Sequence, residues 1–348
     1  MCVKRIEFEL SSYCGIKCLG CNRLDTDKSN LNKHLSFELL DRQIFSKNWF
    51  KDVLRITACG NNGDPMLNPY ILDIYKKISS CNNTTGLEMD TNGFYGGEDT
   101  FSELGKIFNR KDQYNPRQLT FSIDGLEDTN HLYRIGTKWN VIIKNIKAFI
   151  SAGGIAKWKF VPFKHNLHQI EEAKKLSKKL GFAEFQVVTN HIYGTFDEID
   201  HYIKNFVKAG FKKPDTTNHD IITYKSESIW RENKYGIDPW CQRDNMVYIS
   251  ATNRLYPCCY FECVYNDKVD EWWGEDWNDI SKNSIESIMN YKKMKELIST
   301  FSSNNEPQPC FEKCSKNTVS GFELYANQKS PVTMKNKMKD LLAPQEKL

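Results

Sequence analysis

Hydrophobic and polar positions follow two alternating periods along the first half of the chain. Short runs rich in β-branched and aromatic residues predict strands, and longer runs with apolar residues three and four positions apart predict helices. Most predicted strands are followed by a turn containing Gly, Asn or Asp and then by a helix. The predicted strands are 3–10, 52–58, 85–91, 118–124, 156–162 and 183–188, and the predicted helices are 36–47, 68–80, 99–109, 138–152 and 167–180.

This alternation predicts an α/β fold with a parallel sheet and right-handed crossovers. Six βα units favour a partial (β/α)6 barrel of the TIM type, because a closed barrel of this kind has eight. Reactive side chains are then expected on the loops that follow the carboxyl ends of the strands. On the fifth strand, alternation places Lys157 and Lys159 on one side, and if that side is the barrel lumen, a lysine could bind an anionic substrate.

The pattern changes after residue 188. A polar connection contains a predicted helix at 197–209, a hairpin is predicted at 246–257, an acidic Trp-rich stretch covers 271–277, and a helix is predicted at 284–299. The expected second unit is a small cysteine-rich α+β domain. The predicted division is a core at 1–190, a connecting segment at 191–240, the cysteine-rich domain at 241–325 and a basic tail at 326–348.

Composition narrows the class of protein. The 348 residues are 40% hydrophobic and 26% charged, which is typical of a folded globular chain. There is no apolar run of the ~20 residues that span a bilayer, and the first ten residues lack an apolar signal core. We therefore expect a cytoplasmic protein without a membrane partner. The net charge of +4 is too small to indicate a nucleic-acid partner.

Twelve cysteines need an explanation other than disulfides, because a reducing cytosol favours metal binding or thiol chemistry. Three lie within eight residues near the N-terminus, six lie in the last third of the chain, and 82–240 has none. Two separate metal centres are the natural interpretation. Cys2, Cys59 and Cys81 are interpreted as small buried or near-surface side chains.

The first group is Cys14, Cys18 and Cys21, directly after the first predicted strand. Three thiolates in one tight loop can hold three irons of a [4Fe–4S] cluster, and the fourth iron then stays open to a small-molecule ligand. A zinc knuckle is an alternative, although it needs a fourth ligand close by. Unligated thiols are the other alternative.

The Cys-x3-Cys-x2-Cys spacing after the first strand of a partial barrel resembles that of the radical S-adenosylmethionine (SAM) enzymes. Further motifs, each just after a predicted strand, extend this resemblance over nearly the whole chain. Gly60-Asn-Asn-Gly63-Asp64-Pro65 is similar to the Gly-Gly-Glu-Pro loop that binds the SAM amino group, and Thr91-Asn92-Gly93 is a common turn of the family. Ser122-Ile-Asp124-Gly125, followed by Arg134, resembles the subgroup with a C-terminal SPASM or twitch domain.

The resemblance implies a SAM site in which the glycine loop meets the amino group, the Ser and Asp lie by the ribose, and the arginine meets the carboxylate. Elementary chemistry agrees, because a Gly-rich turn lets backbone carbonyls approach an ammonium group and a planar guanidinium suits a carboxylate. The implied SAM-binding residues are Asn61, Asn62, Gly63, Asp64, Ser122, Asp124 and Arg134.

The chain also departs from the family pattern. Asn61 and Asn62 stand where a second glycine is common, and Asp64 replaces the usual Glu. Gly20 stands where many relatives carry an aromatic residue against the adenine, so the adenine contact is unassigned. None of these departures removes a cluster ligand.

The second cysteine group resembles the opening of the SPASM pattern, in which a hairpin-turn Gly precedes a cysteine by five residues. Asn253 stands at that turn, and Asn tolerates a positive φ better than most residues. Four thiolates suffice for one fully ligated auxiliary [4Fe–4S] cluster, which corresponds to the shortened twitch version, although four cysteines also satisfy structural zinc. The expected ligands are Cys241, Cys258, Cys310 and Cys314, with Cys259 a rival to Cys258 and Cys263 a substitute for one ligand.

The resemblance implies an oxidoreductase-type radical SAM enzyme with SAM and two [4Fe–4S] clusters as cofactors. One electron cleaves SAM to methionine and a 5′-deoxyadenosyl radical, which takes a hydrogen atom from the substrate. The auxiliary cluster then exchanges an electron, with dehydrogenation, cross-linking or epimerisation as outcomes. A reductant such as flavodoxin or ferredoxin is the expected protein partner, and no catalytic side chain is assigned.

A small molecule is the expected substrate. The first predicted strand begins at residue 3, so we expect no N-terminal leader-peptide-binding domain. A peptide- or protein-modifying maturase is the close alternative. A non-catalytic iron–sulfur electron carrier is an alternative from another class, although a carrier does not need an open iron.

Overall fold

The computed structural model describes residues 3–18, 21, 23, 30–110, 112, 114–163, 165–188, 239–263, 276–300 and 314. The helix predicted at 197–209, most of the Trp-rich stretch, Cys310 and the basic tail lie outside the described residues. The side chain of Cys263 also lies outside them.

The described residues contain ten strands in two sheets. Eight of them make one sheet in the order β10-β9-β1-β3-β4-β5-β7-β8, in which every pair is parallel except the hairpin of β9 and β10. The pair β2 and β6 is separate and antiparallel. The strands are β1 (Arg5–Phe8), β2 (Lys17–Cys18), β3 (Arg55–Ala58), β4 (Gly86–Thr91), β5 (Arg117–Ser122), β6 (Arg134–Ile135), β7 (Ala156–Phe160), β8 (Glu184–Val187), β9 (Met246–Ile249) and β10 (Leu255–Tyr256).

Helices follow most strands of the large sheet, and the expected α/β fold is confirmed. The first one continues directly as a π-helical turn, Asp41–Phe45. The helices are α1 (Phe37–Leu40), α2 (Ile71–Cys81), α3 (Gly97–Ile107), α4 (Asn130–Tyr133), α5 (Trp139–Ser151), α6 (Ile170–Leu180), α7 (Trp240–Arg243), α8 (Tyr260–Cys263), α9 (Ile285–Asn290) and α10 (Lys292–Thr300).

One predicted helix is interrupted. The segment expected at 284–299 forms α9 and α10, with Tyr291 between them in an extended conformation. The ring of Tyr291 stacks on that of Trp277, with centroids 4.7 Å apart. The break between α9 and α10 thus coincides with a contact between Tyr291 and a residue outside both helices.

The two faces of the large sheet differ in polarity. One face presents buried apolar residues, such as Phe8, Leu87 and Phe121, to the apolar core. The other face is partly exposed and polar. It differs in this from the interior of a closed barrel, which is usually filled by branched apolar side chains. We call this polar face the inner wall. It comprises Glu7, Thr57, Glu88, Asp90, Gln118, Thr120, Lys157, Lys159, Glu184 and Gln186.

The predicted C-terminal hairpin belongs to the same sheet as the core. Strand β9 pairs in parallel with β1, from Arg5 opposite Met246 to Phe8 opposite Ile249. The division predicted at residue 241 therefore does not separate two sheets. Asn253 has a φ of +66°, which confirms the positive φ expected at the hairpin turn. Among the described residues, no helix combines the length and apolarity needed to cross a bilayer.

Candidate functional site

The first cysteine group lies in the loop that follows β1, at the carboxyl edge of the sheet. Burial raises the pKa of all three thiols, that of Cys14 to about 12, and the charges of Cys14 and Cys21 raise the pKa of Cys18 further. Three partly buried thiols thus lie close enough to influence one another. Binding iron would require their deprotonation, which couples metal binding to proton release.

The arrangement of these thiols differs from that of a single-ion site. Within the described residues, no group of three or more His, Cys, Asp or Glu side chains is arranged to hold one metal ion. Zinc would require its ligands to converge on one point at about 2.3 Å from sulfur. A [4Fe–4S] cluster distributes its cysteine ligands over different irons, so its thiolates need not converge. The donor set of three cysteines fits such a cluster with one open iron.

Tyr95, which follows the Thr91-Asn92-Gly93 turn, covers the cysteine loop. A Cβ built on Gly15 would overlap its hydroxyl oxygen and lie 2.8 Å from its Cζ. Burial, together with the charges of the nearby Cys14 and Asp64, raises the pKa of Tyr95 to about 12. A glycine is therefore required between the first two cysteines if Tyr95 is to lie there.

The glycine loop 60–65 lies directly against the segment that leads into the cysteines. The backbone N–H of Asp64 donates to the carbonyl of Tyr13 at 2.8 Å. A Cβ on Gly63 would overlap the carbonyl oxygen of Ser11 and lie 2.6 Å from that of Tyr13. Gly63 thus permits two backbone segments to touch.

Two buried carboxylates hold this loop at its ends. Glu9, the residue after β1, accepts the N–H of Asn61 at 3.0 Å and that of Asn62 at 3.2 Å. Asp64 accepts the N–H of Asn92 at 2.8 Å and the hydroxyl of Thr91 at 2.9 Å. Burial raises the pKa of both carboxyl groups. Backbone carbonyls of the loop are acceptors suited to an ammonium group, as the glycine-rich pattern predicts.

Arg134 and Asp124 form a buried ion pair near the cysteines. The Nε of Arg134 donates to Oδ2 of Asp124 at 2.7 Å, and the other carboxylate oxygen accepts the N–H of Val161 at 2.7 Å. The Asp124 side chain is 0% exposed. Asp124 thus has partners other than the ribose diol that the resemblance implied, and its geometry is that of a residue that orients Arg134. Ser122 lies buried at the end of β5, opposite Lys159 in register.

The two lysines of β7 lie on the inner wall, as alternation predicts, but both are paired. Lys157 contacts Glu184 at 2.7 Å and Lys159 contacts Asp90 at 2.9 Å. Their charges are neutralised by the wall itself, so the expectation of a lysine awaiting an anionic substrate finds no support.

The described cysteines of the second group lie around the β9–β10 hairpin. Cys241 is buried, and burial followed by the charge of Cys314 raises its pKa to about 12. Cys259 has different neighbours: it donates to the carboxylate of Glu7 on the inner wall, and the charge of Glu7 adds to burial in raising the pKa of the thiol. The charges of Cys258 and Glu9 raise the pKa of the Cys259 thiol further, whereas the charge of Cys314 acts on Cys241.

The sequence motifs did not predict three residues of the site, namely Glu9, Tyr95 and Arg23. The Nη1 of Arg23 donates to the carbonyl of Asn62 at 2.8 Å, which joins the cysteine loop to the glycine loop. Of these three residues, only Glu9 could have been recognised from the sequence. It is a charged residue at the carboxyl end of a strand in which apolar and polar residues alternate.

Comparisons with known proteins show the fold. No family model matches the chain, and no curated protein sequence matches it. The structure of Streptococcus suis SuiB bound to precursor peptide SuiA is 14% identical, with a TM-score of 0.54, over 86% of this chain and 67% of that chain. Native anSMEcpe with bound AdoMet, which is SAM, is 14% identical, with a TM-score of 0.52, over 89% of this chain and 88% of that chain.

A third structure, native anSMEcpe with bound AdoMet and Cp18Cys peptide, is 14% identical, with a TM-score of 0.51, over 84% of this chain and 81% of that chain. SuiB and anSMEcpe are radical SAM enzymes with SPASM or twitch domains. At these identities the likeness establishes a shared fold, and the fold that the motifs implied is confirmed.

Proposed function

We propose that this protein is a radical SAM enzyme that holds a [4Fe–4S] cluster on Cys14, Cys18 and Cys21 and binds SAM beside it. One observation carries the proposal: motifs far apart in the sequence meet at one edge of the sheet. The glycine loop contacts the cysteine loop through Asp64 and Tyr13, and Cys18 pairs with Arg134 across β2 and β6. The shared fold with radical SAM enzymes supports it.

In this proposal, different residues of the chain bind different groups of SAM. The carbonyls of the glycine loop hold the ammonium group, Arg134 holds the carboxylate, and Ser122 lies by the ribose. Asp124 orients the guanidinium, and Asp64 keeps the glycine loop against the Thr91-Asn92 turn. When bound, SAM and the cluster supply a 5′-deoxyadenosyl radical that takes a hydrogen atom from the substrate.

The second cysteine group is proposed to hold an auxiliary [4Fe–4S] cluster on Cys241, Cys258, Cys310 and Cys314. Four protein ligands leave this cluster no open iron, so its proposed task is to exchange an electron with the substrate. The proposed overall reaction is therefore an oxidation, and flavodoxin or ferredoxin is the proposed electron donor. Variants at Cys310 and Cys314 should retain SAM cleavage and lose coupled product formation. Full product yield in them would contradict electron transfer.

A polar small molecule is the proposed substrate, because the inner wall below the site consists of charged and hydrogen-bonding side chains. A peptide is the second candidate. It is favoured by the fold neighbours, since SuiB was solved with precursor peptide SuiA and anSMEcpe with the Cp18Cys peptide. Incubation with candidate peptides and with small molecules, followed by mass spectrometry of each, would separate the two.

The decisive test of the function is SAM cleavage. The anaerobically reconstituted wild-type chain, reduced with dithionite, should convert SAM to 5′-deoxyadenosine. The variant with Cys14, Cys18 and Cys21 replaced by Ala should form none, while it keeps about four of about eight irons at the second centre. A wild-type chain that holds its iron but yields no 5′-deoxyadenosine would favour an electron carrier. Zinc in place of iron would contradict both cluster assignments.

A further inference from the structure

The carboxylate of Glu9 lies between the two loops of the proposed SAM site. Its backbone N–H donates to the carbonyl of Ile249 at 2.9 Å, so the residue is held by the large sheet. Its side chain is fully buried and accepts two consecutive N–H groups, from Asn61 to Oε2 and from Asn62 to Oε1. A rigid strand thus holds the more irregular glycine loop through one carboxylate.

These two bonds determine which way the loop carbonyls face. All described peptide bonds are trans, and in a trans peptide the N–H and C=O point in opposite directions. The N–H of Asn61 faces Glu9, so the carbonyl of Gly60 faces away from it, and in the same way the carbonyl of Asn61 faces away. The carbonyl of Asn62 is taken by Arg23 at 2.8 Å.

We propose that Glu9 is a positioning residue for SAM, which turns the carbonyls of Gly60 and Asn61 into a fixed pair of acceptors for the SAM ammonium group. This inference rests on the proposed function of the glycine loop. Its first consequence needs no cofactor: without the carboxylate, two N–H groups lose their acceptor, that of Asn62 at a buried position, which is costly for the folded loop.

The test compares the full-length Glu9→Ala and Glu9→Gln variants with wild type. A matched control is Glu88→Gln, a carboxyl of the inner wall that accepts from Gln118 at 3.0 Å and Thr57 at 3.3 Å. In the chain without cofactors, hydrogen exchange of peptides covering 59–64 should become at least about tenfold faster in Glu9→Ala, since local opening governs exchange. Glu9→Gln, which keeps one acceptor oxygen, should show a smaller increase, and Glu88→Gln none.

The second readout is SAM affinity, measured by the change that SAM causes in the electron paramagnetic resonance spectrum of the reduced first cluster. Glu9→Ala should retain wild-type iron content and bind SAM about tenfold more weakly, as expected for the loss of about one hydrogen bond's free energy. Unchanged exchange and unchanged SAM affinity in Glu9→Ala would overturn the inference. Loss of iron in both Glu9 variants would overturn it too, because Glu9 would then support the cluster.

The outcome separates this inference from the function on which it rests. If wild type fails to bind SAM, the proposed function fails, whereas the exchange measurement still reports on the tether itself. If wild type binds SAM and the Glu9 variants bind it equally well, the inference alone fails. Should Glu9→Ala not fold, Glu9→Gln carries both measurements.

Discussion

Cys18 and Arg134 lie directly opposite each other in the antiparallel pair of β2 and β6. The guanidinium of Arg134 is bonded in turn to Asp124, just beyond the end of β5. One arginine thus connects the cysteine loop to the carboxyl edge of the sheet. Its positive charge lowers the pKa of the Cys18 thiol, although burial, which raises that pKa, is the larger effect.

This arrangement predicts that the ion pair of Arg134 and Asp124 contributes to SAM binding and is not needed for cluster assembly. Arg134→Ala removes the proposed partner of the SAM carboxylate, and a charged hydrogen bond contributes about 1.5–3 kcal/mol. SAM affinity should therefore fall between about tenfold and about a hundredfold. Equilibrium binding of SAM to the reconstituted variant measures this loss of affinity. The iron content of the same sample shows whether the first cluster is retained.

Asp124→Asn is the matched variant, because it keeps the side-chain volume and an oxygen for the N–H of Val161 while it removes the charge that orients Arg134. A smaller loss of SAM affinity than in Arg134→Ala is expected. Loss of the first cluster in either variant would contradict the assigned roles.

A second prediction concerns the contact between Gly15 and Tyr95. Gly15→Ala places a methyl group where the Tyr95 ring lies, so the ring or the cysteine loop must shift. Iron bound at the first centre should fall in Gly15→Ala and recover when Tyr95→Ala is added. Tyr95→Phe should rescue less, because the Cζ atom, 2.8 Å from the built Cβ, remains. Equal iron loss in the single and double variants would show that Gly15 matters for another reason.

A third prediction concerns Gly63, whose added Cβ would overlap the backbone of Ser11. Backbone cannot rotate away as a side chain can, so Gly63→Ala should separate the glycine loop from the cysteine loop. We expect SAM affinity to fall by at least about tenfold, which corresponds to ~1.4 kcal/mol. Isothermal titration with SAM gives the value.

Gly97→Ala is the control for this experiment. Gly97 has a φ of +74° with nothing within 4 Å of its built Cβ, so its replacement introduces strain without overlap. It should lower the free energy of unfolding by about 1–2 kcal/mol and leave SAM affinity unchanged. Equal SAM affinities in the two variants would refute the role given to Gly63.

Local periodicity explains why the strands were predictable. In β1, β3 and β7, apolar and polar residues alternate strictly, and that alternation matches the observed faces. The motif residues follow these strands, so their convergence at one edge was predictable as well. The positions of the described motif residues agree with that expectation, while the roles assigned to them stay predictions.

Contacts between distant segments were not predictable. The pairing of β9 with β1 joins residues near 247 to residues near 6, and no local pattern encodes that register. The tether from Glu9 to Asn61 and the position of Tyr95 over Gly15 are also contacts between separate loops. The motif predicted that Asp124 lies at the site. The role of its carboxylate depends on the ion pair with Arg134, which the motif did not predict.

The last prediction decides between Cys258 and Cys259 as ligand of the second centre. Cys259 donates to Glu7 on the inner wall, and burial and the charge of that carboxylate both raise the pKa of its thiol. As a cluster ligand, Cys259 would have to give up its hydrogen bond to Glu7, so we expect Cys258 to be the ligand. Cys258→Ser should therefore lower the iron content from about eight to about four per chain, while Cys259→Ser should retain about eight. Iron and sulfide analysis of the two variants measures the difference, and SAM cleavage by Cys258→Ser checks that the first cluster is intact. The opposite iron contents would make Cys259 the ligand and would require its thiol to turn away from Glu7.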